Sequence, residues 1–354
     1  MTERTLLDAR WIGQSGIGRV TSSLIEGLCE RPPGGPWTVW LTGERPLWGG
    51  AEAVVSRHRP GAWAGQRCLA EVPPCEVSVF PANLRPLRPV GRASLTVLYD
   101  TIPLQHEPNP LRRRVLRGVF LRAAHLSTRV LTISEHSARG LVRELGLAPD
   151  RIGVLPIPFD RRLVDRIEGA RSAGLSADPS VLFVGRMTPH KNLERLVRAF
   201  SRSHTHRIGG RLVLAGESGA AAAHLRRLGH ELGVRVDTPG ALSEDDLVRE
   251  YARSWAVALV SLDEGLGLPV LEATAAGIPV VASNAGGIME TVGERLPLVD
   301  PLDELAIARG IDQAVGCEGR ISSNLVAWTR TMPEASDLAA AVVREVDCLR
   351  RPPG

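Results

Sequence analysis

The stretch Ser261–Ser283 reads SLDEGLGLPVLEATAAGIPVVAS, and the rest of the chain is read outward from it. Ahead of it, Trp255-Ala-Val-Ala-Leu-Val260 is a short apolar run with the character of a buried strand. Gly265 and Gly267 then leave the backbone uncovered. Pro269 suits the first turn of a helix and Gly277 its end. Pro279-Val-Val-Ala282 is the next strand. The spacing therefore predicts strand, glycine loop, helix, strand. Glu264 stands at the loop and Glu272 inside the helix, about a turn and a half apart, so that a ligand can meet one carboxylate at each end. The N–H groups of the helix start lie between them and favour electron-rich oxygens.

As a string, Glu264-Gly-Leu-Gly-Leu-Pro-Val-Leu-Glu272 resembles the nucleotide-sugar site of retaining glycosyltransferases of family 4, which have the GT-B architecture. Their signature is Glu, seven residues, Glu, with Gly-Phe-Gly-Leu-Pro after the first Glu; Leu266 stands here in the Phe slot. The resemblance implies that Glu264 and the loop backbone at Gly265, Leu266, Gly267 and Leu268 bind the sugar, and that Glu272 binds the ribose hydroxyls. Two glutamates alone would read as solvated side chains on an ordinary β-α-β unit; the whole string points to the site.

Length and composition fit this frame. At 354 residues the chain exceeds one ordinary core, and two domains are the natural expectation. A hydrophobic share of 44% and a charged share of 23% are those of a globular protein in water. No apolar run is long enough to span a bilayer, and the start, Met1-Thr-Glu-Arg-Thr-Leu-Leu-Asp8, lacks the basic end and long apolar core of a signal peptide. Cys29, Cys68, Cys75, Cys317 and Cys348 are scattered and odd in number, which suggests a reducing cytosol and neither a disulfide frame nor a zinc site. The net charge of +4 rests almost wholly on arginine, and Lys191 is the only lysine.

In the first half, Thr5–Asp8 reads as a strand and Val20–Cys29 as a helix, with Gly13, Gly16 and Gly18 between them. A glycine turn there is a usual place for phosphate approach. It has neither the dinucleotide spacing nor a P-loop's Gly-Lys-Ser/Thr. Gly16-Ile-Gly-Arg19 resembles the Gly-Ile-Gly-Arg-Tyr string of mannosyl- and rhamnosyltransferases of the same family, and equally reads as a tight strand–helix turn. Further strands are read at Trp37–Thr42, Val77–Phe80, Leu95–Tyr99, Val130–Ile133 and Ile152–Leu155. Tyr99-Asp-Thr-Ile-Pro-Leu104 occupies the place of the family's His-Asp-Leu-x-Pro string. Asp100 matches it and Tyr99 replaces the histidine; the resemblance implies that both line the sugar and acceptor side, while Asp100 also suits a helix cap. The helix read over Leu111–His125 carries arginines at 112, 113, 114, 117 and 122. They form a solvated face or one laid on an anionic membrane, and the first reading is favoured. Asp160–Pro179 reads as the linker.

The second half opens with Val181–Val184, then Gly185-Arg-Met-Thr-Pro-His-Lys-Asn192, then a helix from Leu193. Relatives carry Gly-Arg/Lys at this strand end and a Lys five residues later, clamping two phosphates; Arg186 and Lys191 match. Phosphate oxygens are met well by cations converging from a strand end and a helix start. Gly240 to Leu242 matches the loop that lays its backbone on the nucleotide base, and Ser243 caps a helix with an acidic first turn.

The fold class expected is α/β, a GT-B pair of Rossmann-like domains facing across a cleft. Residues 1–165 would form the acceptor-side domain, 166–330 the nucleotide-sugar domain, and 331–354 a helix returning to the first. The function implied is retaining, metal-independent transfer of a hexose or deoxyhexose from a nucleoside diphosphate sugar to a hydroxyl acceptor, with the N-terminal string leaning to a GDP-mannose-like donor. Arg186, Lys191, Glu264 and Asp100 would carry the chemistry, with no bound metal and no cofactor besides the donor. The alternatives are a sugar-nucleotide 2-epimerase of the same architecture and a non-catalytic partner subunit. No nucleic-acid partner is expected, and the location expected is the cytoplasm or the inner face of the membrane.

Overall fold

The structure is a computed structural model. It describes residues 4–12, 15–43, 45–56, 74–83, 85–86, 88–171, 179–317 and 321–351. Gly13 and Cys68 lie outside the described residues. The chain forms two compact units, Met1–Pro158 with Pro333–Gly354, and Phe159–Met332.

The first unit is built on a parallel sheet. Its described strands are β1 (Thr5–Asp8), β2 (Trp37–Leu41), β3 (Ala51–Val55), β4 (Val77–Phe80), β5 (Ala93–Val97), β6 (Arg129–Thr132) and β7 (Ile152–Val154), in the order β3-β2-β1-β4-β5-β6-β7. Strands β1, β2, β4 and β5 are buried along their whole length, as strands covered on both faces must be. Edge strand β3 is exposed at most positions. The strand order reverses at β1, between β2 and β4. The first helix spans Ser15–Glu30, five residues longer at its start than the sequence suggests, so Gly16 and Gly18 sit in its first turn and not in a free loop. This helix packs on the helix Ala335–Arg350, which the chain supplies after the second unit is complete. Gly27 is the point of closest approach: a Cβ there would lie 2.0 Å from the carbonyl oxygen of Ala335.

The second unit repeats the plan. Strands β8 (Ser180–Val184), β9 (Arg211–Ala215), β10 (Arg235–Gly240), β11 (Ala256–Leu259), β12 (Val280–Ser283) and β13 (Leu298–Val299) are all parallel, in the order β10-β9-β8-β11-β12-β13. The order reverses between β8 and β11, and the carboxyl ends of strands at such a reversal are where ligands bind in open α/β sheets. The expected linker is partly a helix, Arg161–Arg171. Leu163, Val164 and Ile167 bury its inner stripe in the second core, so the unit begins at Phe159, ahead of the boundary at 165. The fold class is thus α/β with two Rossmann-like domains, the GT-B class.

Candidate active site

Three loops at the carboxyl ends of β8, β11 and β12 build the site. The first leaves β8 at Gly185, whose amide donates to the carbonyl of Ala215 at 2.9 Å. Gly216 presses on it so closely that a Cβ there would stand 2.0 Å from the Gly185 oxygen. The chain then makes a 3-10 turn, Pro189–Lys191, and enters the helix Leu193–Ser201. The amide of Leu262, just past β11, donates to the carbonyl of His190 at 2.7 Å, which stitches the second loop to the first.

That stitch brings the chain's one lysine to the first glutamate of the motif. Lys191 Nζ donates to Glu264 Oε1 at 2.5 Å, and Ser261 Oγ donates to the same oxygen at 2.7 Å. The side chains are 17% and 10% exposed, so the pair is shielded from salt but still reached by solvent. The third loop braces the second: Gly287 N donates to the carbonyl of Glu264 at 2.6 Å. Gly286, at φ 58° and ψ −143°, lies where a Cβ would come within 2.5 Å of the Glu264 backbone. Only glycine fits that contact and that conformation.

Beyond Glu264 the backbone runs through buried Gly265 and half-buried Leu266, whose carbonyl accepts from Thr291 Oγ1 at 2.9 Å. Gly267, left-handed at φ 82°, starts the helix Leu268–Ala275, with Pro269 in its first turn and no side chain capping it. The strand, glycine loop, helix and strand read from the sequence all stand where expected.

Glu272 lies deeper than the sequence suggests. It is fully buried, and its Oε2 accepts from the Tyr251 hydroxyl at 3.2 Å. Arg186 is two-thirds exposed and pairs with equally exposed Glu217 at 3.2 Å. Each cation thus holds a carboxylate of its own. Gly240 closes β10 at φ 81°, and its carbonyl accepts from Gly216 N at 2.8 Å. Half-buried Leu242 follows, before Ser243, whose hydroxyl caps the helix Glu244–Arg253. Sequence reasoning missed Ser261 and Glu217. Ser261, three residues before Glu264 in a tight loop, was the more legible of the two.

In the first unit, Asp100 Oδ1 accepts from Ile102 N at 3.0 Å, just ahead of the short helix Ile102–Gln105, whose N-cap is Thr101. Tyr99 is buried and its hydroxyl donates to the carbonyl of Pro81 at 3.1 Å. Burial pushes its phenol far above the ordinary value, which keeps it a neutral donor. Tyr99 is therefore tied by its hydroxyl to the backbone of its own unit. Gly16 is exposed at the helix start, and Gly18, one turn in, is buried. Among the described residues no group of three or more His, Cys, Asp or Glu converges as a metal site would require. Among them, too, no helix is long and apolar enough to cross a membrane.

Residues 168–326 match the family model for glycosyl transferases group 1. Over 201 residues the chain is 34% identical to an uncharacterized glycosyltransferase of Methanocaldococcus jannaschii, covering 53% of this chain and 51% of that protein. It is also 34% identical over 175 residues to a GDP-mannose-dependent alpha-(1-6)-phosphatidylinositol monomannoside mannosyltransferase of Mycobacterium tuberculosis, covering 44% of this chain and 45% of the relative. The chain thus spans about half the length of the curated relatives it matches. Among solved structures, HepE of Anabaena, crystallised in complex with UDP and glucose, superposes with a TM-score of 0.72 at 18% identity, over 98% of this chain and all of that one; this is a likeness of fold. Residues 168–326 of the second unit, which hold the Lys191–Glu264 site, are thus similar to the glycosyl transferases group 1 family.

Proposed function

We propose that the chain transfers a hexose or deoxyhexose, with retention of anomeric configuration, from a nucleoside diphosphate sugar to a hydroxyl acceptor. The observation that carries this reading is the contact of Lys191 Nζ with Glu264 Oε1 at the strand-order reversal of the second sheet. A cation and a carboxylate side by side, beneath an uncapped glycine loop, offer one group to a diphosphate and the other to vicinal sugar hydroxyls. Lys191 would stabilise charge on the leaving diphosphate, with Arg186 at the outer edge of the same loop. Glu264 and the backbone from Gly265 to Leu268 would orient the sugar, and Gly240 to Leu242 would meet the base. Glu272 would have to meet the ribose from its buried place beside Tyr251. Cationic side chains at the diphosphate support a reaction without a metal or other cofactor. The reading keeps Asp100 for the sugar and acceptor side, and Gly16 and Gly18 as donor-binding residues.

The Gly16-Ile-Gly-Arg19 string and the mannosyltransferase relative both support a GDP-mannose-like donor. A peripheral contact with an anionic, inner-face membrane is the second reading of the arginine-rich helix, behind a solvated face. Helix Pro110–His125 leaves Leu111 and Val115 strongly exposed beside Arg112 and Arg114. The test is direct. The purified chain is incubated with GDP-, UDP- and dTDP-sugars and a panel of hydroxyl acceptors, and the anomeric configuration of any product is read by NMR. Conversion of donor without acceptor, or an inverted product, overturns the reading.

A further inference from the structure

Asn192 follows Lys191 directly and is unusual in two respects. Among the described residues it is the only one other than glycine at positive φ, at 60° in the left-handed region. It is also buried, with every polar atom of its side chain engaged. Its Nδ2 donates to the carbonyl of Val260 at 3.0 Å and to that of Pro301 at 2.7 Å. Its Oδ1 accepts from Arg195 Nη1 at 2.6 Å. Flipping the amide would set oxygen against two carbonyls and nitrogen against a guanidinium, so the network fixes its orientation. One side chain thereby ties the loop after β8 to the end of β11 and to the segment after β13. Its left-handed backbone, which asparagine tolerates better than most residues, ends the 3-10 turn that carries Lys191 and starts the next helix.

We propose that Asn192 is the positioning residue of this site. It clamps the Pro189–Lys191 turn to the end of β11 so that Lys191 Nζ stays on Glu264, and it acts on the reaction only through Lys191. The placement is geometric; the catalytic consequence rests on the function proposed above. Asn192→Gly keeps the left-handed backbone and removes all three ties. Asn192→Asp keeps the acceptor for Arg195 and loses both donations.

Because Lys191 is the only lysine, its amine can be followed alone in the full-length chain by acetylation and peptide mass spectrometry. The expected result is a rise in the Lys191 acetylation rate of about fivefold in both variants, the factor that about 1 kcal/mol gives, with amide exchange across β8 unchanged. An unchanged rate at Lys191, or a rise matched by faster exchange throughout β8, overturns the proposal. Transfer kinetics supply the second arm. Asn192→Gly should lower kcat beside an intact Lys191 and add nothing in a Lys191→Ala background. An equal loss in both backgrounds would mean general support of the fold and also overturns it. If Lys191→Ala leaves transfer untouched while the acetylation result holds, the function reading fails and the positioning of Lys191 stands.

Discussion

The hydroxyl of Tyr251 donates to Glu272 at 3.2 Å, and both side chains are wholly shut off from solvent. Tyr251 stands on the helix that follows the Gly240–Leu242 loop, Glu272 on the helix that follows the glycine loop. The contact therefore couples the helices that follow these two loops. A buried carboxylate is tolerated only where hydrogen bonds replace water, so the pair should matter to stability as well as to binding.

Glu272→Ala should lower the stability of the second unit by about 1–3 kcal/mol, because it leaves the Tyr251 hydroxyl buried without this partner. Thermal melting followed by near-ultraviolet circular dichroism would show it. A variant melting with the wild type would mean that the contact contributes nothing.

Lys191→Ala should cut turnover by about tenfold to a thousandfold, the range for removing a group that meets charge developing in the transition state. Arg186→Ala should cost less, because Arg186 is exposed and paired with exposed Glu217, and such surface pairs are weak. Steady-state kinetics of the two variants would rank them; a larger loss at Arg186 would reverse the roles.

Glu264→Gln should move two measurements in opposite directions. The Glu264 carboxylate holds Lys191, and on the proposed reading a diphosphate competes for that cation. Removing the charge frees Lys191, so titration calorimetry should show tighter binding of the free nucleoside diphosphate. Transfer should fall at least about tenfold, since hydrogen bonds to a charged group are worth about 1.5–3 kcal/mol to the sugar. Weaker diphosphate binding would show that the two do not compete.

On the proposed reading transfer should survive EDTA, since Lys191 would meet the phosphate charge that a divalent ion otherwise neutralises. Loss of activity in chelator, restored by magnesium or manganese, would place a metal in the reaction.

Burial pushes the Cys75 thiol from 9.0 up to about 11. Between those values the folded chain keeps a proton that the unfolded chain releases, so this contribution to stability is intact below about pH 9 and is lost as the pH rises through 11. At pH 8.5 iodoacetamide should modify exposed Cys317 and Cys348 well before Cys75. Peptide mapping over time would test the order.

Much of the second unit was legible because its signals are local. Gly267, Pro269 and Gly277 punctuate one helix, and Ser243 caps another by its own side chain. Signals that depend on distant neighbours were not legible. Arg161–Arg171 reads as linker because it is charged and flanked by prolines; Leu163, Val164 and Ile167 become a core stripe only against helices Glu244–Arg253 and Leu268–Ala275. Lys191 and Glu264 are 73 positions apart, and only the placing of β11 beside β8 brings them together. Tyr99 takes the place of the family string's histidine, and its hydroxyl is bound by a carbonyl eighteen residues upstream.

The helix Ala335–Arg350 packs into the first unit although the whole second unit precedes it in the chain. A ribosome therefore releases every residue of the second unit before the first has its final helix. Domains generally fold as units as they are synthesised, N-terminal first, but here the order of completion is inverted. Until Ala335 emerges, the surface of helix Ser15–Glu30 around Gly27 has no helix to cover it. The nascent chain would carry that uncovered strip through the synthesis of some three hundred residues, a long interval of exposure to chaperones.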